Sequence, residues 1–113
     1  MSILGRLSNF FSRGGRDDNR MQQAMDHAHA KRPGEAIAIY DSLISSKGTS
    51  PTVRARALFN RALAHSSMKD DEKALADLES VISMSGTPEN VLNAARNQIV
   101  RVRNRVQRGR DRE

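Results

Sequence analysis

The sequence predicts an all-α protein made of two antiparallel helical hairpins and a closing helix. Hydrophobic residues make up 37% of the 113-residue chain and aromatic residues only 4%. A core built from such small aliphatic side chains suits helices packed on helices better than a β-sandwich. Glycine and proline divide the chain into segments of helical length, and one unit of about 38 residues occurs twice.

The ends of each helix follow from local signals. Ser50-Pro51 and Thr87-Pro88 each place a capping residue before a proline, which is typical of a helix start. Pro33-Gly34 and Gly48 interrupt or end helices, and Asp70 with Asp71 favours a further start. We therefore expect helices over about 19–31, 35–46, 51–68, 70–85 and 88–106.

An internal repeat determines how these helices pair. Residues 34–45 (GEAIAIYDSLIS) align with residues 72–83 (EKALADLESVIS), with five identical positions. The same offset of 38 relates Ala24 to Ala62, His27 to His65 and Lys31 to Lys69. A single hairpin cannot cover its own apolar face, so two copies are expected to stack.

The repeated unit resembles the tetratricopeptide repeat family over about residues 19–86. In that family a small residue lies in the first helix, an alanine opens the second, and apolar residues follow four and then three positions later. The two copies show Ala24, Ala36, Tyr40, Leu43 and then Ala62, Ala74, Leu78, Val81. The chain departs from the pattern in its spacing, 38 rather than about 34 residues, and in Arg61, where a leucine is usual.

This resemblance implies a protein or peptide partner bound in a groove that the first helices line. The groove residues would be Met21, Met25, Ala28, His29, Arg56, Phe59, Asn60, Leu63, Ser66 and Ser67. Methionine adapts to irregular apolar partners, which fits this use. The alternative is that these residues pack on the closing helix or the N-terminal segment. Methionines stand where the family's carboxylate clamp needs Lys and Asn, which disfavours that clamp.

The closing helix has two faces. Its apolar seam consists of Leu92, Ala95, Ile99, Val102 and Val106, and it would cap the second hairpin or pair with a second copy over residues 92–106. A basic stripe on another face consists of Arg101, Arg105, Arg108 and Arg112. This stripe gives the alternative function, nucleic-acid binding, since arginine neutralises phosphates. The remainder, residues 107–113, is expected to be a disordered basic tail.

Residues 1–18 are expected to comprise a short amphipathic helix and a flexible basic link, residues 13–16, which separates that helix from the helical domain 19–106. Its apolar face would consist of Ile3, Leu4, Leu7, Phe10 and Phe11. Such a face docks on a lipid surface, on a protein shell or complex, or in the chain's own groove. A mitochondrial presequence is a further alternative, because residues 1–16 are rich in Arg and Ser and contain no acid.

Composition and spacing argue against enzyme chemistry. The chain has no cysteine, so thiol nucleophiles and Cys-ligated zinc are excluded. His27 and His29 point about 200° apart on a helix, and the acidic residues stand at helix starts or, like Asp77 and Glu79, on faces expected to be exposed. We predict no cofactor, no metal and no enzymatic activity. We expect a cytoplasmic protein, peripheral at a membrane surface if residues 3–11 bind lipid.

Overall fold

The computed structural model describes the backbone of Ser2–Arg112 and the side chains of residues 15–112. Over these residues the chain forms helices and turns, with no strand, which confirms the all-α prediction. The five helices are α1 (Ser2–His29), α2 (Pro33–Ser45), α3 (Pro51–Ser67), α4 (Asp71–Ser83) and α5 (Glu89–Asp111).

Each helix packs mainly on the next helix along the chain. The extensive contacts are α1 with α2, α2 with α3, α3 with α4 and α4 with α5, and smaller contacts join α1 to α3 and α3 to α5. The first helix of each hairpin, α1 or α3, and the closing helix α5 therefore form one layer. The second helices α2 and α4 form the other layer. Sequential hairpins of this kind stack mainly through nearest neighbours.

The same backbone turn closes both hairpins. Lys31 and Lys69 adopt left-handed conformations, with φ of 61° and 62°. The amide of Arg32 donates to the carbonyl of His27 at 2.8 Å, and the amide of Asp70 donates to the carbonyl of His65 at 2.9 Å. These are the long bonds of a Schellman motif, a common helix ending. Because every pair is separated by 38 residues, the duplication in the sequence extends to the hydrogen bonds of the backbone.

The helix starts follow the predicted capping residues at two of three sites. Ser50 Oγ accepts from the Val53 amide at 3.2 Å, and Asp70 Oδ1 accepts from the Lys73 amide at 3.3 Å. Thr87 does not cap α5, because its hydroxyl donates instead to the carbonyl of Val81 at 2.9 Å. α2 begins at Pro33 rather than Glu35, since proline is tolerated at the first helical position.

Two predictions at the chain ends are wrong in secondary structure. α1 continues through Gly14 and Gly15, so residues 2–12 do not form a separate short helix. Glycine weakens a helix by about 1 kcal/mol but, unlike proline, keeps its amide hydrogen bond. α5 extends to Asp111, so residues 107–111 are not disordered; Gln107 Nε2 donates to Asp111 Oδ1 at 3.0 Å on this last turn.

Small residues lie where the helices of each hairpin cross. Ala24 and Ala36 are fully buried between α1 and α2, and their counterparts Ala62 and Ala74 are buried between α3 and α4. A longer side chain at these four positions would force the helices apart. The largest fully buried side chains surround the crossings: Tyr40, Leu43, Leu78, Val81 and Val102.

The apolar seam of α5 packs on the second hairpin of its own chain. Ala95, Ile99 and Val102 are buried in one cluster with residues of α3 and α4, and Val106 packs partly against it. At the start of the helix Val91 is buried, whereas Leu92 is only half-buried. The prediction of the buried face of α5 is therefore correct, but its first buried residue is Val91 rather than Leu92.

The outer flank of α5, formed by Arg96, Val100 and Arg103, is exposed and mainly polar, whereas the equivalent flank of α3 is buried at Leu58 and Ala62. At the repeat offset, Leu58 corresponds to Arg96 and Ala62 to Val100. Leu58 and Ala62 are buried, whereas Arg96 is exposed and Val100 is 57% exposed. Arg103 on this flank lies 3.5 Å from Glu79. α5 thus closes the stack with a charged surface.

Candidate partner-binding groove

An open groove of about 240 Å³ lies between α1 and α3. Its floor is Tyr40 of α2, and its walls come from one face of each first helix. The wall residues are Met25, Ala28 and His29 of α1, and Asn60, Leu63, Ala64 and Ser67 of α3. Residues three and four positions apart share a helix face, so the same periodicity that forms the helices also lines the groove.

Six of the ten predicted groove residues line it: Met25, Ala28, His29, Asn60, Leu63 and Ser67. The other four do not: Met21, Arg56, Phe59 and Ser66. Met21 is buried beneath the surface, where its sulfur accepts from Asn60 Nδ2 at 3.6 Å. Phe59 packs against the C-terminal core cluster, as the alternative reading of the sequence allowed. Arg56 is exposed but is not among the wall residues.

The lining is mainly apolar, with polar atoms at a few points. Leu63 is 38% exposed, a large fraction for a leucine next to a core. Burial raises the pKa of Tyr40 above its usual value, so the floor of the groove carries no charge near neutral pH. The polar groups on the walls are the Asn60 amide, the His29 ring and the Ser67 hydroxyl. Such a lining suits an apolar side chain fixed by a few hydrogen bonds.

The corresponding position between α3 and α5 is occupied by an arginine. Arg105 lies 38 residues after Ser67 and reaches Asp71 at the start of α4, with Nη2 at 2.6 Å from Oδ1. The same nitrogen also donates to Ser66 Oγ of α3. Hydrogen bonding to Asp71 raises the pKa of Arg105. Ser67 is too short to make such a bridge, which keeps the α1/α3 groove open.

The basic stripe is therefore divided. Arg105 is exposed but is engaged with Asp71 and Ser66. Arg101, Arg108 and Arg112 are exposed. Because an arginine with a short contact to a carboxylate is partly neutralised, only these three residues present their charge fully to a partner.

A buried ion-pair cluster outside the α1/α3 groove was not expected from the sequence. Asp77 is only 6% exposed, although an exposed face was predicted for it. Arg61 binds both of its oxygens, at 2.8 Å and 2.7 Å, and also contacts Asp41 at 2.8 Å. The hydrogen bonding that Arg61 donates to Asp77 is the main cause of the raised pKa of Arg61. The cluster joins α2, α3 and α4, and its charges satisfy one another, as a structural role requires.

One sequence signal could have revealed this cluster. Arg61 stands among the buried residues Ala57, Leu58 and Ala64 of its helix, at a position where the tetratricopeptide family, which the sequence resembles, has leucine. A cation at such a position needs a carboxylate nearby. The partner, Asp77, is 16 residues away, and its neighbours Ala74, Leu78 and Val81 are all buried. Asp77 lies three residues after Ala74 and four before Val81, so the helical spacing places it on the buried face of α4 and distinguishes it from Glu79.

The predicted N-terminal docking face lies outside the side chains that the structure describes, which begin at Gly15. For the described residues, no helix is long and apolar enough to cross a membrane. Within that same part of the chain no three His, Cys, Asp or Glu side chains cluster as metal ligands would. No protein-family model, curated protein or solved structure matches the chain.

Proposed function

We propose that the chain is a non-enzymatic adaptor that binds a peptide or protein partner in the α1/α3 groove. The observation that carries this proposal is the open apolar groove itself, walled by Met25 and Leu63 and floored by Tyr40. Comparable apolar residues elsewhere in the layer of α1, α3 and α5, such as Val102, are covered by the chain's own helices. The resemblance of the hairpins to tetratricopeptide repeats supports the same use.

The groove fits a short segment of a partner rather than a broad surface. Its volume of about 240 Å³ accommodates one or two apolar side chains. Asn60 and Ser67 can hydrogen-bond the backbone on either side of such an anchor. Buried anchors of this kind contribute most of the binding energy at small interfaces. We therefore place the main contact at Met25, Leu63 and Tyr40.

We expect Leu63→Asp to abolish capture of groove partners while leaving the fold intact. The side chain is already 38% exposed, so the carboxylate can remain hydrated and the cost to stability should stay below about 1 kcal/mol. In the groove, however, the charge would face the apolar anchor of the partner. Affinity capture from the native host and thermal melting measure the two effects.

Val100→Asp is the matched control for that experiment. Val100 is an exposed apolar residue on the outer flank of α5, away from the α1/α3 groove, and the substitution adds the same charge. It should retain every partner that Leu63→Asp loses. Equal capture by both variants would show that the groove is not the binding site.

We further propose that residues 3–11 recruit the adaptor to its place of action, a membrane surface or a protein assembly. The support is the sequence pattern: two of the three phenylalanines of the chain, Phe10 and Phe11, fall in this segment. Phe10→Ser with Phe11→Ser should abolish recruitment and leave the melting temperature almost unchanged. A large loss of stability would show instead that the segment packs on the helical domain.

Nucleic-acid binding through α5 is the second candidate function. The observation that favours it is charge: residues 90–110 contain six arginines and no acidic residue, and Arg101, Arg108 and Arg112 are exposed. Phosphate contacts of this type weaken steeply as salt concentration rises. Binding of duplex DNA or RNA that is lost between low and moderate salt would favour this candidate over the groove.

A further inference from the structure

The layer of first helices changes from apolar to cationic along the stack. The α1/α3 groove is lined mainly by apolar side chains. α3 contains no acidic residue, and neither does α5 between residues 90 and 110. The face of α5 next to the α3 wall of the groove can therefore attract a negatively charged group. No acidic side chain on these parts of α3 and α5 competes with that group for the arginines.

The position of Arg101 follows from the contact that Arg105 makes. Arg105 donates to Ser66 Oγ, so this part of α5 lies directly beside the end of α3. α3 and α5 run in the same direction because α4 is antiparallel to both. Arg101 is four residues before Arg105, one helical turn back, which places it level with Leu63. The repeat offset agrees, since residues 63 and 101 are 38 apart.

Arg101 differs from its neighbours in having no acidic partner among the described side chains. Arg103 contacts Glu79 at 3.5 Å, and Arg105 contacts Asp71 at 2.6 Å. Arg101 is exposed and lies next to the groove wall. The two neighbouring arginines are used to hold α5 on α4 and α3, whereas Arg101 makes no ion pair that would hold the fold together.

We infer that the groove partner is a peptide with an apolar anchor followed by an acidic residue that pairs with Arg101. This inference rests on the proposed function and specifies its ligand. Neighbouring helices lie about 8–10 Å apart, and an extended peptide advances about 3.3 Å per residue. The acidic residue therefore stands about three positions from the anchor, with the anchor against Leu63 of α3 and the carboxylate over the neighbouring helix α5.

Selection from a random library of displayed peptides tests the inference without knowledge of the natural partner. The wild-type chain should enrich sequences with a large apolar residue and an Asp or Glu about three positions away. Arg101→Glu should replace the acid with Lys or Arg at that position and keep the anchor. For one synthetic acidic peptide, we expect Arg101→Glu to weaken binding roughly fivefold or more, through lost attraction and added repulsion.

Arg96→Glu provides the matched control, because Arg96 is exposed on the opposite flank of α5. It should leave the enriched sequences and the affinity unchanged. Apolar anchors enriched without any acid would overturn the inference and leave the groove proposal standing. Peptides that bind Leu63→Asp as well as the wild type would overturn the groove proposal itself. If Arg101→Glu instead lost duplex DNA binding with unchanged peptide preference, Arg101 would belong to a nucleic-acid surface and the inference would fail.

Discussion

Replacing Arg61 with Leu is expected to lower the free energy of unfolding by about 3 kcal/mol, because it leaves the buried Asp77 carboxylate without its bidentate partner. The remaining neighbour of that carboxylate, His65 Nε2, lies 3.8 Å from Asp77 Oδ2, too far for a good hydrogen bond. The cluster joins α2, α3 and α4, so the loss should affect the whole stack. Urea unfolding followed by circular dichroism measures it.

The double variant Arg61→Leu with Asp77→Leu separates charge from shape. Removing both ions of a buried pair is often neutral or stabilising, and Asp41 can remain in water because its side chain is 55% exposed. We expect the double variant to recover most of the lost stability. A double variant as unstable as Arg61→Leu alone would show that the geometry of the pair, rather than an unpaired charge, holds these helices together.

Ile99→Asp is expected to lower the free energy of unfolding by about 3–5 kcal/mol, since it combines a lost core side chain with a buried charge. Ile99 is 6% exposed and packs in the cluster shared by α3, α4 and α5. The same loss should appear in thermal melting, and α5 should become accessible to protease before the first hairpin does.

Val100→Asp is the internal control, because Val100 is the next residue along α5 and is 57% exposed. It should melt within about 0.5 kcal/mol of the wild type, as exposed substitutions usually do. Equal melting of the two variants would mean that α5 does not pack on the second hairpin. Sedimentation of both variants shows in addition whether the seam takes part in pairing two copies of the chain.

Most of the fold could be predicted because its signals are local or periodic. The caps at Ser50 and Asp70, the buried alanines and the repeat each depend on short stretches of sequence. The continuation of α1 through Gly14-Gly15 and of α5 past Gln107 could not be predicted, since glycine and arginine permit a helix without requiring one. Leu92 was exchanged with Val91 because adjacent residues on a helix differ by only about 100°.

The position of the groove could be predicted from the sequence, but which of its predicted residues are buried away from it could not. The tetratricopeptide resemblance places Met25, His29, Asn60 and Leu63 in the groove, and these four residues line its walls. It cannot show that Met21 lies beneath the surface or that Phe59 turns toward the C-terminal core, because these depend on how closely neighbouring helices approach. The bridge from Arg105 to Asp71 spans 34 residues and likewise leaves no local signal.

The polar flank of α5 determines how long this architecture can become. On α3 the equivalent flank is apolar at Leu58 and Ala62, and both residues are buried against the helices that follow. At Arg96, Val100 and Arg103 the next unit would have to bury two guanidinium groups to obtain one valine contact, which is unfavourable. The same barrier applies to a second copy of the chain approaching end to end. The two arginines on this flank of α5 therefore oppose elongation of the stack into a filament of repeated hairpins.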